Sequence, residues 1–311
     1  MIDVLTVGET MAAFRAEGPL ILGGALRLTT AGAESNVAIG LARLGHRARW
    51  VGLVGDDEFG RLVLRTLRAE GVDTTHTAVE PAGPTGLVVF EPRVADLVRV
   101  AYYRRGSAGS RLTPEHLGAA LAEGARIVHL TGVTAALGPG PQQAVEAAAQ
   151  AGATVSLDVN HRSRLWSRDE AAAVLRPLVE DTDLLIASED ELDLAAPAGA
   201  RGEAERIEAL LDLGVAEVVV KRGADGASVH TPDGTVDLPA VRVPVRDTVG
   251  AGDAFVAGYL SGLLDGEPAA GRLARAVTTG AFAVAAAGDW EGLPTRAELG
   301  LLDAVPGSTL R

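Results

Sequence analysis

Short apolar segments alternate with longer segments of helical periodicity along most of the chain. The segments predicted as strands are 4–7, 48–54, 126–130, 154–157, 183–187 and 217–220. Between them, apolar residues recur every three or four positions, as in 36–44, 60–70 and 141–150. Continuously apolar strands are buried on both faces, and helices between them supply the crossovers. The alternation therefore predicts a three-layer α/β/α fold with a mainly parallel central sheet and right-handed connections.

Two regions, about 11–27 and 85–103, depart from this alternation. Both read as short extended stretches with turns, at Gly18-Pro19 and Gly23-Gly24 in the first and at Glu91-Pro92-Arg93 in the second. We expect them to form a small β-sheet that covers the active site as a lid. Because no Pro- or Ser-rich linker or internal repeat is present, we expect one domain over 1–311 with these segments inserted.

Charge and composition exclude several classes of function. The formal net charge is −13, which repels nucleic acid and anionic lipid. The sequence has no cysteine, so disulfides and thiolate metal sites are excluded. No apolar run reaches the length of a membrane span, and the first residues lack a basic, apolar leader, so we expect a cytoplasmic protein. Anionic ligands would need local positive charge, which Lys221, the sole lysine, and the arginine-rich segment 97–114 supply.

The strongest local signal for chemistry is the segment 247–255, DTVGAGDAF. Gly250 and Gly252 allow unusual backbone angles and a close approach to a ligand. The unpaired amides of the helix that follows favour an anion. An aspartate at this place repels phosphate, but it can accept a proton from a hydroxyl that attacks phosphorus. On the residues alone, a second reading stays open, in which Asp253 merely caps its helix.

Other catalytic motifs are absent. A dinucleotide-binding G-x-G-x-x-G is excluded because residue 255 is Phe, and the sole lysine does not stand in a Walker A context. Neither G-x-S-x-G nor H-E-x-x-H occurs, so a hydrolase has no support. The six histidines are scattered without ligand spacing.

Two separated motifs resemble the signatures of the PfkB, or ribokinase-like, carbohydrate kinase family. VGAGDAFVAGYLSGL at 249–263 is similar to the C-terminal signature, and AGAESNVAIGLARLG at 31–45, followed by VGLVGDDEFG, is similar to the N-terminal one. Their order and spacing agree with the family over nearly the whole chain. The resemblance implies a ribokinase-like fold and an ATP-dependent sugar kinase that uses Mg²⁺.

The resemblance also implies roles for individual residues. Asp253 corresponds to the catalytic base, and the amides of Gly250, Ala251, Gly252 and Asp253 to the anion hole. Arg162 would reach between the ATP phosphates and the acceptor, and Asn160 would lie near the nucleotide. The further residues expected at the nucleotide are Ser188, Lys221, Gly223 and Gly226.

Three further expectations follow from the family. Glu191 would hold Mg²⁺ through water, although Ser188 departs from the family's Asn-x-x-Glu. Asp247 and Thr248 would lie at a monovalent cation such as K⁺. Lid sheets often pair between subunits in this family, which implies a homo-oligomer.

The acceptor expected from the sequence is a sugar acid. AYYRRGSAGSRL, VHLTGVTAALGP and VSLDVNHRSRLW resemble 2-keto-3-deoxygluconate kinases. A guanidinium holds a carboxylate well. Val88 stands where such kinases can have tyrosine. The residues expected at the acceptor are Gly32, Ala33, Asn36, Tyr102, Arg104, Arg162 and Asp253. Two alternatives remain open. One is a neutral-sugar kinase such as a fructokinase, and the other is a non-catalytic sugar or nucleotide sensor.

Overall fold

The computed structural model describes residues 1–94 and 97–303. Its strands are β1 (Ile2–Val7), β2 (Met11–Ala16), β3 (Leu26–Ala31), β4 (Ala48–Val51), β5 (Leu53–Gly55), β6 (Ala78–Glu80), β7 (Leu87–Val94), β8 (Leu97–Tyr103), β9 (Ala125–Thr131), β10 (Thr154–Asp158), β11 (Leu184–Ser188), β12 (Glu217–Lys221), β13 (Ala227–Thr231) and β14 (Gly234–Leu238). Its α-helices are α1 (Ala33–Arg43), α2 (Glu58–Ala69), α3 (Gly118–Glu123), α4 (Gly132–Ala135), α5 (Pro139–Ala149), α6 (Arg168–Leu178), α7 (Leu192–Ala195), α8 (Gly202–Asp212), α9 (Ala251–Leu264) and α10 (Ala269–Ala285).

The central sheet has the strand order β14-β13-β12-β11-β10-β9-β1-β4. The six strands from β12 to β4 are parallel, and β13 and β14 are added antiparallel at one edge. Each parallel pair needs a crossover, which the helices between the strands provide. The predicted three-layer fold with a mainly parallel sheet is confirmed.

Strand side chains alternate between two hydrophobic cores, one on each face of the central sheet. In β11, for example, Leu185 belongs to the core with α5, α6, α7 and α8, whereas Ile186 belongs to the core with α1, α2, α9 and α10. Such two-sided burial explains why the strands read as continuous apolar runs. It also places α1 and α9 in the same layer.

The predicted strand at 48–54 is divided into β4 and β5. Gly52 lies between them, where a Cβ would stand 2.2 Å from the carbonyl oxygen of Gly8. Only glycine permits this close approach. β4 then pairs with β1 in the central sheet, whereas β5 pairs with β6.

A separate four-stranded sheet, with the order β3-β2-β7-β8, is built from the two segments that break the alternation. It has its own core, which includes Met11, Val88 and Phe90. β3 ends at Ala31, four residues beyond the expected boundary at 27, and β3 leads directly into α1. Residues 95 and 96 of the second segment lie outside the described residues.

In the described part of the chain, no helix is both long and apolar enough to cross a membrane.

A substitution at Leu157 tests whether β10 lies in the interior of the central sheet. Its side chain is 1% exposed, and Leu157→Ala is expected to lower the free energy of unfolding by about 2–5 kcal/mol because it removes buried contacts and leaves a cavity. The control is Leu213→Ala, since Leu213 is 45% exposed and should change stability by only about 0.5 kcal/mol. Chemical denaturation of both variants measures the difference. Similar losses of unfolding free energy in the two variants would contradict the burial of Leu157 in the core.

Candidate active site

A cavity of about 590 Å³ lies at the carboxyl ends of the central parallel strands. Asn160 and Arg162 follow β10, Ser188 ends β11, and Lys221 ends β12, and all four line this cavity. Ligands of open α/β sheets bind at this edge. The opposite wall comes from the small sheet, through Met11, Val88, Phe90, Val100 and Tyr102, and from Arg104, which follows β8.

The floor of the cavity is the N-terminus of α9. Gly250 precedes the helix with a left-handed φ of 76°, and a Cβ there would stand 1.9 Å from the carbonyl oxygen of Asp289. Gly252 is helical, and its Cβ would meet only the Nζ of Lys221, at 3.8 Å. The amides of Gly252 and Asp253 lie in the first turn, where they lack intrahelical acceptors. The Ala251 amide makes a long 3.4 Å contact to the Thr248 carbonyl.

Asp253 is a buried carboxylate that faces this cavity. Asp253 lines the cavity and is only 8% exposed. Burial raises its pKa to about 6, against the opposing effects of a hydrogen bond from Asn36 and the positive charge of Arg162. The group is therefore ionised at neutral pH yet basic enough to take a proton.

The segment before α1 forms a second wall, on which Gly32, Ala33 and Asn36 all line the cavity. Asn36 Nδ2 donates to Asp253 Oδ2 at 2.8 Å. Its Oδ1 is buried without a hydrogen-bond partner among the described residues and can accept from a ligand. Gly32 is needed because a Cβ would stand 2.6 Å from the carbonyl oxygen of Glu9.

Arg104 is held by Glu9, a contact that the sequence did not predict. Nε of Arg104 donates to Glu9 Oε2 at 2.7 Å, and Nη2 binds the same oxygen. The two side chains are 8% and 1% exposed. The guanidinium lies 5.7 Å from the centre of the Tyr102 ring. Because Nε and Nη2 face Glu9, Nη1 is the group of Arg104 that remains for a ligand.

Lys221 is held by Asp158, the last residue of β10. Its Nζ lies 2.8 Å from both carboxylate oxygens. Gly223 and Gly226 are not among the residues that line the cavity. They shape the turn between β12 and β13, since their φ angles are 55° and 104° and a Cβ on Gly226 would stand 2.1 Å from the Leu238 carbonyl oxygen.

Both carboxylate oxygens of Glu191 accept backbone amides. Oε2 accepts from Ser188 at 2.9 Å and Oε1 from His161 at 2.7 Å, so Glu191 joins the end of β11 to the loop after β10. The described residues contain no group of three or more acidic or histidine side chains that could hold a metal. Mg²⁺ commonly keeps several waters and binds substrate phosphates with one or two carboxylates. Glu191, which lines the cavity, is compatible with that arrangement.

The monovalent cation expected at Asp247 and Thr248 would lie beside the side chains of Arg15 and Asp289. Asp247 is already paired with Arg15, whose Nη1 lies 2.6 Å from its Oδ2. Arg15 also binds Asp289 Oδ2, through Nη2 at 2.7 Å. Burial raises the pKa of Asp289 to about 7, and Arg15 opposes this rise. Both Arg15 and Asp289 were missed, although a lone arginine in the otherwise apolar strand MAAFRA was a visible signal.

The two glycines of the turn are expected to respond differently to alanine. Gly250→Ala should lower the melting temperature strongly, because a side chain is strained at this φ and would collide with the Asp289 carbonyl. Gly252→Ala should leave the melting temperature nearly unchanged, since its Cβ has space and alanine favours a helix. Thermal unfolding followed by circular dichroism compares them, and equal losses would disprove the described turn.

Comparison with known proteins gives consistent results. Residues 1–296 match the pfkB family of carbohydrate kinases. The 2-dehydro-3-deoxygluconokinase of Thermoproteus tenax is 37% identical, covering 96% of this chain and 93% of the relative. The protein of the same name from Bacillus subtilis (strain 168) is 36% identical, covering 96% and 94%.

A solved structure is similar to this chain over nearly its whole length. It is a candidate ribokinase II from E. coli in complex with ATP and Mg²⁺, with a TM-score of 0.90 and 26% identity, covering 97% of this chain and 99% of that one. The resemblance expected from the two sequence signatures is thus confirmed. This chain belongs to the pfkB family of carbohydrate kinases.

Proposed function

We propose that this protein transfers the γ-phosphoryl group of ATP to a hydroxyl of a sugar acid, with 2-keto-3-deoxygluconate, phosphorylated at its terminal hydroxyl, as the favoured acceptor. The observation that carries the proposal is the buried carboxylate of Asp253 at the open N-terminus of α9, inside the cavity. A proton acceptor beside unpaired amides suits a hydroxyl that attacks phosphorus.

In the proposed reaction, Asp253 takes the proton of the acceptor hydroxyl. The hydroxyl oxygen forms a bond to the γ-phosphorus, and the bond from that phosphorus to the bridging oxygen of ADP breaks. The amides of the turn at Gly250, Ala251, Gly252 and Asp253 stabilise the charge on the transferred group. The amide of Ala251 contributes less, because it already contacts Thr248.

The nucleotide is proposed to lie along the strand ends. Lys221 and Arg162 would bind the phosphates, while Asn160 and Ser188 line the same wall. The turn with Gly223 and Gly226 would lie further along, towards the ribose. Mg²⁺ would neutralise charge on the phosphates when bound, and Glu191 would hold it through water. The ATP and Mg²⁺ in the related E. coli structure support this proposal.

Arg104 is proposed to bind the acceptor carboxylate through Nη1, with Tyr102 beside it. Gly32, Ala33 and Asn36 would contact the rest of the acceptor. The names of the relatives from Thermoproteus tenax and Bacillus subtilis support a keto-deoxy acid. Val88, 1% exposed on this wall, offers no hydroxyl to the acceptor.

A neutral-sugar acceptor is the second candidate. The observation that favours it is the pairing of Arg104 with Glu9, because a neutralised guanidinium attracts a carboxylate less strongly. A binding-only sensor is less well supported, since ligand binding does not require the buried base. Comparing kcat/KM for 2-keto-3-deoxygluconate, fructose, ribose and adenosine separates these candidates.

The small sheet is proposed to serve as a lid and as the contact between two copies of the chain. Apolar side chains remain exposed on it and on its β2–β3 connection: Leu97 is 67% exposed, Leu26 and Leu28 46% each, and Ile21, in the connection, 91%. Burying such side chains between two copies would be favourable. Sedimentation equilibrium would measure the association.

Asp253→Asn is expected to reduce kcat at least about a hundredfold while the affinity for ATP changes little. In the unaltered protein, kcat/KM should fall as the pH drops through about 6, because protonation of Asp253 removes the base. Steady-state kinetics and nucleotide titration measure both effects. Near-normal turnover in the variant would disprove the base assignment.

The same substitution should affect stability with a defined sign. The folded-state pKa of Asp253 is raised from 3.8 to about 6. The stability that Asp253 contributes is therefore fully present below its pKa in the unfolded chain, and it is lost as the pH rises through its pKa in the folded protein. The melting temperature of Asp253→Asn minus that of the unaltered protein should therefore be larger at pH 8 than at pH 4, as thermal unfolding of both proteins at the two pH values would measure.

Arg104→Ala is expected to raise KM for the sugar acid at least about tenfold, because a charge-assisted contact to the carboxylate is lost, while KM for ATP stays nearly constant. Arg105→Ala is the matched control, since Arg105 is exposed and does not line the cavity. An unchanged KM for the acid acceptor in Arg104→Ala would eliminate the carboxylate contact.

A further inference from the structure

Arg15 lies on β2 of the small sheet and reaches two carboxylates beside the cavity. One nitrogen of its guanidinium pairs with Asp247 at 2.6 Å and another with Asp289 at 2.7 Å. The three side chains are only 14%, 10% and 6% exposed. The guanidinium also stacks over the Phe90 ring, 4.3 Å from its centre. A planar fork held from three directions has little freedom to move.

Asp247 lies in the turn before α9, and Asp289 lies in the segment after α10 that packs against this turn. Asp247 Oδ1 accepts from the amide of Val249 at 3.1 Å, and its Oδ2 accepts from the amide of Gly288 at 3.3 Å. The backbone of Asp289 packs directly against Gly250. Arg15 therefore fixes the two chain segments that enclose Gly250, and it compensates their negative charge.

The bound guanidinium is incompatible with a second cation at Asp247. An alkali ion at that carboxylate would lie close to Arg15 in a poorly solvated site, where like charges repel strongly. Oδ2 of Asp247 already accepts hydrogen bonds from Arg15 and Gly288, and Oδ1 accepts from the amide of Val249. Positive charge at this place is thus supplied by the chain itself.

We propose that the guanidinium of Arg15 is the resident cation of the turn that precedes α9, so that this kinase does not require K⁺ and acquires a cation requirement when Arg15 is removed. The inference rests on the proposed role of this turn in holding the transferred phosphoryl group. Arg15 acts through Asp247 and Asp289, so it is a positioning residue. Since it projects from the small sheet, the charge is in place only when that sheet is seated on the cavity.

The experiment compares K⁺ with choline at matched ionic strength in two measurements. The first is thermal unfolding, which requires no acceptor, and the second is ADP release with ATP, Mg²⁺ and the best acceptor. In the unaltered protein, K⁺ should change turnover less than about twofold and leave the melting temperature unchanged. Arg15→Ala should lose at least about tenfold in turnover in choline.

In Arg15→Ala, K⁺ should raise the melting temperature and restore part of the turnover, because two carboxylates are then free for an ion. Added guanidinium ion should restore turnover as well, which a merely structural role of Arg15 does not predict. Arg27→Ala is the matched control: Arg27 stands opposite Arg15 in the β2–β3 pair but is 59% exposed, and its loss should create no response to K⁺.

Several outcomes would overturn the inference. One is activation or stabilisation of the unaltered protein by K⁺, a result that needs no variant. Another is an Arg15→Ala protein that responds to neither K⁺ nor guanidinium. If Arg15→Ala does not fold, Arg15→Lys replaces it, and K⁺ activation of that charged variant would equally exclude the inference. If the acceptor proposal fails, the thermal measurement still decides whether Arg15 occupies a cation site.

Discussion

The hydrogen bond between Asn36 and Asp253 is the contact on which the site depends, since it joins side chains 217 residues apart in the chain. It requires α1 and α9 to cross closely, and Gly40 permits this because a Cβ there would stand 2.6 Å from the Cβ of Ala257. Both helices belong to the same layer. The packing of that layer thus brings the N-terminal and C-terminal signatures to one cavity.

Positive charge at the cavity is held by buried acids in a repeated pattern. Lys221 is bound by Asp158, Arg104 by Glu9, and Arg15 by Asp247 and Asp289. Each acid fixes the position of its cation and reduces its net charge. In a chain of net charge −13, this arrangement orients donors towards an anionic ligand without a large unpaired charge in the interior. Arg162, whose side chain is exposed, differs from the other three.

Much of the fold could be predicted because the signals are local. Continuously apolar strands such as β11 follow from two-sided burial, and the left-handed turn at Gly250 follows from the glycine itself. The division of 48–54 at Gly52 was not predictable, because it depends on the distant carbonyl of Gly8. The expected boundary at 27 falls short of the end of β3, whose residues Thr29 and Thr30 are polar in type although they are buried.

The site could be predicted only in part, because some of its contacts join segments that are distant in sequence. The motifs identified Asp253, Asn36 and Lys221, all of which line the cavity. The partners of the charged side chains depend on contacts between distant segments, such as Arg15 with Asp247, 232 residues apart. A single sequence carries no record of such pairs, so the pairing of Arg15 with Asp247 could not be predicted, and the monovalent cation at Asp247 stays a prediction.

The small sheet has a consequence for the newly synthesised chain. β2 and β3 are neighbours in sequence and can pair early as a hairpin, but the other edge of β2 pairs in parallel with β7. Until residues 87–94 have been made, that edge offers unpaired backbone groups, while the exposed Leu26 and Leu28 lie on β3 at the other side of β2. Open edges of this kind promote association between chains. A long delay before β7 is synthesised therefore favours association, and prompt completion of the sheet limits it.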